Sequence, residues 1–300
     1  MLRTLGNYRE FTLGLAGLGL LLLIIIIMGA AGWPGDRNTC YQSTGHCYCE
    51  NIDRAHPENS AILDHPGMFA QPVNTWSNTG FMLAGLAMLW WIGWERATGR
   101  TPAHRNLMTQ GTLFSTLYGA FTVFLGPGSM MFHASMRQWA GWFDPLSMNL
   151  FMAFIPAYNL IRRFNWPPWA GVLIYAVANV IEGVLNAVDP DHSLIWFGIL
   201  GGIALVSQIL VVFSPISTSV GGRVFFGVGA ASFVAAFAIW ALSWTEGPLC
   251  DPTTFLQGHG LWHLLSAVSV GCLYMYFRME DWDPSRSHTP DYGPRTVQYA

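Results

Sequence analysis

The chain contains no lysine: its fourteen basic residues are all arginines, scattered through short polar stretches of a 300-residue sequence. Without a basic patch there is no electrostatic footprint for nucleic acid, and that class is set aside. Charge of either sign is scarce, at 10%, far below the roughly 25% of a soluble domain. Short alternating strands are missing too, because the apolar runs are long and uniform, which excludes an outer-membrane-type barrel. No fixed-period repeat and no low-complexity tract is present.

What is abundant is apolar: 52% of residues are hydrophobic, in runs that approach or exceed the ~20 residues needed to cross a hydrocarbon core. The sequence reads as an all-α, polytopic transmembrane bundle. A leading helix is expected over Phe11–Ala31, where GLGLLLLIIIIMGAAG follows Arg3 and Arg9. Its apolar centre exceeds the 7–15 residues usual for a signal peptide, which favours a retained span, with a cleaved signal as the alternative. Seven further spans are expected over Pro72–Trp94, Leu107–Leu125, Pro145–Ile161, Trp169–Val188, Ser193–Phe213, Val224–Trp244 and Gly258–Phe277. The domain reading is an N-terminal transmembrane helix (1–32), an extracytoplasmic cysteine-containing loop (33–71), a seven-helix catalytic domain (72–278) and a cytoplasmic tail (279–300).

Arginine placement gives the orientation. With a cytoplasmic N-terminus, eleven arginines fall on one side and only Arg37, Arg54 and Arg137 on the other, as the positive-inside rule requires, with both termini cytoplasmic. The same assignment puts Cys40, Cys47, Cys49 and Cys250 together outside, where an oxidising compartment suits them, and leaves Cys272 inside a span.

In this topology His133, Asp144, His259 and His263 share the outer part of the bundle. His259 and His263 are four residues apart, so on a helix they share one face and can chelate one ion. Ser129 and His133 have the same spacing, and Gly126-Pro127-Gly128 before them is expected to break or kink its span. Three neutral imidazoles with an open fourth position make a catalytic zinc shell, with the site toward the extracytoplasmic side. The last-helix pair lacks the glutamate of an HExxH motif. Asp144 is then the candidate base, and Ser129 a donor to an oxyanion or to the zinc-held water. Glu182, with Asn179 and Asn186, either faces a cavity or bonds across helices. Asn74, Thr75, Ser77 and Asn78 are expected to tie helices together, and Gly198 with Gly202 to permit close helix packing. His46, His56, His65, His104, His192 and His288 read as solvated.

These residues resemble the alkaline ceramidases, within the CREST group of seven-helix membrane hydrolases. NTWSN (Asn74–Asn78), SMMFH (Ser129–His133), Asp144 followed by Ser147-Met148, and HGLWH (His259–His263) match in order. The likeness covers about residues 45 to 278 and leaves out the first helix and the tail. It implies zinc held by His133, His259 and His263, with Ser129 and Asp144 around its water. It also implies a membrane lipid substrate, a ceramide cleaved at its N-acyl amide to a fatty acid and a sphingoid base; no obligate protein partner is expected.

Animal members also carry a calcium site. Its counterparts here are Glu50 and Gln71, of which only Glu50 keeps a carboxylate. The likeness further implies a Cys49–Cys250 disulfide, leaving Cys40 with Cys47 as a second pair. Pro145 stands where a glutamate is usual. Two other functions stay in view: a lipid-binding, receptor-like protein of the same fold with little or no hydrolysis, and a haem protein with histidine axial ligands.

Overall fold

The computed structural model describes residues 6–36, 40–41, 46–51, 68–110, 113–214 and 216–282. The expectations that rest on Arg3, Arg37, Arg54, Arg286, Arg295, His56, His65 and His288 lie outside the described residues. The chain is an all-α bundle whose described helices form eight rods. In order they are α1 (Arg9–Ala31), the pair α2 (Pro72–Ser77) and α3 (Thr79–Thr98), then α4 (Leu113–Ser135). The pair α5 (Phe143–Met152) and α6 (Phe154–Phe164) follows, then α7 (Pro168–Val188), α8 (Ser193–Val212), α9 (Val220–Leu242) and α10 (Gly258–Arg278). Two short antiparallel ladders accompany them, β1 (Cys40–Tyr41) with β2 (His46–Cys47), and β3 (Ser217–Thr218) with β4 (Glu280–Asp281).

Among the described residues five rods, α1 and α7 to α10, are long and apolar enough to cross a membrane, and the chain is a membrane protein. The other three rods are more polar or interrupted because they line the centre. α4 packs on α1, α2, α3 and α5, and α10 packs on α2, α3 and α9. From Leu125 to Ser135 every residue of α4 is buried. A helix facing protein all round does not need a lipid-compatible surface, so it can carry serine and histidine. The rod of α5 and α6 pauses at Ala153. Pro156 lacks the N–H that would bond the Met152 carbonyl, a gap proline always leaves in a helix.

Two expectations are corrected. Gly126-Pro127-Gly128 does not break its span, since α4 runs through it to Ser135 with Pro127 inside. The glycines serve close packing: a Cβ on Gly128 would sit 2.6 Å from the Ser147 Cβ, and one on Gly126 would meet Met82 and the Asn78 carbonyl. Gly198 and Gly202 face open space rather than a neighbouring helix, so they are not a packing seam.

The two ends of the bundle differ. At one end three arginines pair across helices or with the chain beyond them: Arg96 Nη1 with Glu10 Oε2 at 2.9 Å, Arg278 Nη2 with Glu95 Oε1 at 2.5 Å, and Arg162 with Glu280. The Arg96–Glu10 pair ties α1 to α3. At the other end lie the Cys49–Cys250 disulfide, the last turn of α4 and the first turns of α2, α5 and α10.

Candidate metal centre

His133 sits in the last turn of α4, and His259 and His263 in the first two turns of α10. All three are buried. One ring nitrogen from each lies within 4.8 Å of the others, and His133 Nε2 is 3.0 Å from His259 Nε2. Zinc–imidazole bonds of 2.0–2.1 Å in a tetrahedron put their nitrogens roughly 3.4 Å apart, so the spacing fits one small cation. Among the described residues this is the one cluster of three such ligand groups.

The neighbours of the rings decide which nitrogen is free. Gln71 Nε2 donates to the Glu50 carbonyl at 3.1 Å, which turns Gln71 Oε1 toward His133 Nδ1 at 2.7 Å. An amide oxygen only accepts, so His133 carries its proton on Nδ1 and presents a bare Nε2. Ser77 works the same way. Its hydroxyl proton goes to the Asn74 carbonyl at 3.0 Å, so its oxygen accepts from His263 Nδ1 at 2.8 Å and leaves Nε2 bare. Imidazole ligands held in this tautomer by an oxygen partner are the usual arrangement around a metal.

Asp144 begins α5 and Ser129 lies one turn before His133; both are buried. Gly128 lets α5 lie against α4, so the Ser129 hydroxyl comes within reach of the Asp144 carboxyl. The hydroxyl makes no hydrogen bond of ordinary geometry. A buried hydroxyl without a partner costs about 1–3 kcal/mol, which a bound water or substrate oxygen would recover. The five polar residues expected to converge therefore lie at one end of the bundle, on three helices.

A strap, residues 48–51, covers the histidines. The Tyr48 ring packs edge-on against His133 and His259, with centroids at 4.8 and 4.4 Å, and stacks on Trp244. Cys49 is joined to Cys250, and Asn51 N–H donates to the Pro252 carbonyl. The Glu50 carboxylate accepts the Val73 and Asn74 N–H groups at 2.7 and 2.8 Å, capping the open end of α2. Burial pushes its pKa up from the ordinary carboxylate value while those two bonds pull it down. Both Glu50 oxygens and the Gln71 oxygen are thus engaged by N–H donors, and these contacts clamp α2 and His133 to the strap. Cys40 and Cys47 stand opposite each other in the β1–β2 ladder, but their side chains, and with them the second disulfide, lie outside the described residues.

Ser77 ties helices together as expected, joining α2 to His263 on α10, while its place behind a site histidine, like that of Gln71, goes beyond the expectation. A signal was present: Gln71, Asn74, Ser77 and Asn78 repeat at helical spacing in an apolar span, which marks a buried polar stripe needing partners. Glu182 falls on the bonding side of its two readings, accepting from Asn149 Nδ2 at 3.2 Å. His104 and His192 each pair with an aspartate, Asp281 and Asp189.

A helical membrane protein with a buried three-imidazole centre at one end defines a narrow class. Within it, the Ceramidase family model matches residues 64–295. The chain belongs to the Ceramidase family, whose activity is ceramide hydrolysis. It matches none of the curated proteins.

Proposed function

We propose that this chain is a zinc-dependent integral-membrane amidase that hydrolyses the N-acyl amide of ceramide, or of a related lipid, to a free fatty acid and a sphingoid base. The carrying observation is the trio His133, His259 and His263, two of them held with Nε2 bare, with Ser129 one helical turn before His133 and the Asp144 carboxyl within reach of the Ser129 hydroxyl. The donor set suits zinc, which takes three imidazoles and a fourth, exchangeable position. When bound there, zinc acidifies a water and polarises a carbonyl.

The residues of the chain divide the remaining work. Asp144 takes the proton released as water adds to the amide carbon, then delivers it to the departing nitrogen, so the amide and one water become a carboxylic acid and an amine. Ser129 donates its free hydroxyl to the oxygen on which charge develops. Gln71 and Ser77 hold the His133 and His263 rings. Tyr48 packs on the His133 and His259 rings and Phe132 on His133, with Trp244 stacked behind Tyr48, and these rings keep water scarce around them. The acyl and sphingoid chains remain among apolar side chains of the bundle, so the lipid need not leave the membrane.

The same reading places both termini in the cytoplasm and the histidine end outside, with catalysis carried by residues 72–278. Purified protein should release fatty acid from labelled ceramide, and His263→Ala should abolish that release. Equal release by the two proteins sinks the proposal. Bound lipid without turnover in the wild type would favour a receptor-like binder instead.

A further inference from the structure

We infer that Gln71 is a positioning residue for His133, and that its side-chain amide does the work of a cation between the strap and the metal centre. The inference rests on the zinc reading above. The main chain brings Gln71 to the ring. The last carbonyls of a helix have no partners within it, and here those of His133 and Ala134 accept the N–H groups of Gln71 and Ala70 at 3.1 and 2.8 Å. Gln71 therefore grips His133 twice, once through its backbone and once through Oε1 on Nδ1.

The amide has no freedom to turn. Oε1 also accepts from Asn74 Nδ2 at 3.3 Å, Nε2 donates to the Glu50 carbonyl at 3.1 Å, and the residue is fully buried. Flipped, it would set an NH2 against the Nδ1–H and an oxygen against a carbonyl.

Glutamine is the one residue of this shape with an acceptor for the ring and a donor for the strap. A glutamate could still accept from Nδ1–H. Its other oxygen would then face the Glu50 carbonyl at about the distance of a hydrogen bond, with the buried Glu50 carboxylate nearby, and no proton between them. Oxygens so gathered call for a hard cation such as calcium. Glutamine removes that need by carrying its own N–H.

The test uses full-length protein in detergent, with zinc and calcium ions as probes. Zinc retention is titrated against a competing chelator, alongside thermal unfolding, for wild type, Gln71→Leu and Gln71→Glu. Wild type should hold zinc equally with and without calcium. Gln71→Leu should lose about 10–100-fold in zinc affinity, the usual effect of removing a ligand's hydrogen-bond partner. Gln71→Glu should hold zinc weakly in calcium-free buffer and recover when calcium is added.

Wild-type affinity in Gln71→Leu overturns the positioning role. Gln71→Glu indifferent to calcium, or a wild type that needs calcium, overturns the cation-replacing role. If Gln71→Leu does not fold, the calcium response of Gln71→Glu decides alone. A wild type with no zinc at all refutes the metal reading itself, a result distinct from each of these.

Discussion

His133 Nε2 and His259 Nε2 lie 3.0 Å apart although 126 residues separate them in sequence. With its proton held on Nδ1, His133 aims a lone pair at the other ring. That approach is favourable only with a proton or a cation between the two nitrogens. His263→Ala should remove one of three ligands, leaving purified protein with less than one hundredth of the wild-type zinc affinity, beyond the ~10–100-fold that losing a supporting partner costs. Metal analysis by mass spectrometry after dialysis, read beside turnover, checks it. Full zinc occupancy in the variant would contradict the shared site.

Asp144→Asn separates proton transfer from metal binding. The variant keeps size and shape and removes only the ability to take a proton. Zinc content should stay at the wild-type level while kcat falls by about 10²–10⁴-fold, the contribution of a positioned general base. A loss of zinc in step with activity would make Asp144 part of the metal shell instead.

Ser77→Ala tests the oxygen behind His263. The Ser77 hydroxyl donates to the Asn74 carbonyl and accepts from His263 Nδ1–H. Without it the ring loses its fixed tautomer, and zinc affinity should fall by about 10–100-fold. Ser77→Thr keeps the hydroxyl and should hold zinc more tightly than the alanine variant. Chelator titration of the three proteins distinguishes these outcomes.

Much of this arrangement was legible in the sequence, for physical reasons. Long apolar runs can only be buried or placed in lipid, so the rods were found with ends close to the observed ones wherever they face lipid, as in α7 and α8. The spacing of His259 and His263 alone sets them on one helix face. The third span ends ten residues beyond its expected end, at Ser135 rather than Leu125, because Pro127 and the polar residues after it imitate a helix stop. What rescues that turn is tertiary: Gly126 and Gly128 allow Met82 and Ser147 to close on it. The contact of Gln71 with His133 is hidden from the sequence for a similar reason, since it depends on α4 ending where it does.

The strap over the histidines hangs on one covalent link. Cys49 and Cys250 lie 201 residues apart in sequence, so their bridge restricts a long stretch of unfolded chain, an effect usually near 2–4 kcal/mol. Cys250→Ser should lower the thermal midpoint in detergent, and a reductant should lower it by more in wild type than in the variant. Because Tyr48 precedes Cys49 and packs on His133 and His259, zinc loss should quicken in both cases. Midpoints followed by tryptophan fluorescence, with zinc release read by a colorimetric chelator, give both quantities.

Gly128→Ala probes how Asp144 is set against Ser129. A Cβ at position 128 would lie 2.6 Å from the Ser147 Cβ and 3.2 Å from the Phe143 carbonyl oxygen. The carbonyl is main chain and cannot rotate away, so the first turn of α5 must move. Such overpacking costs about 1–3 kcal/mol, and a shift near 1 Å at a reacting group costs on the order of 10²-fold in rate. Zinc affinity should stay near wild type, because no histidine sits on α5. Gly227→Ala is the matched control: a Cβ there meets nothing within 4 Å, and alanine in a helix is better by roughly 0.5–1 kcal/mol. Turnover reduced at position 128 and unchanged at 227, with zinc retained in both, ties the catalytic defect to the α4–α5 contact. Wild-type turnover in Gly128→Ala would mean that the place of Asp144 is set by something other than that contact.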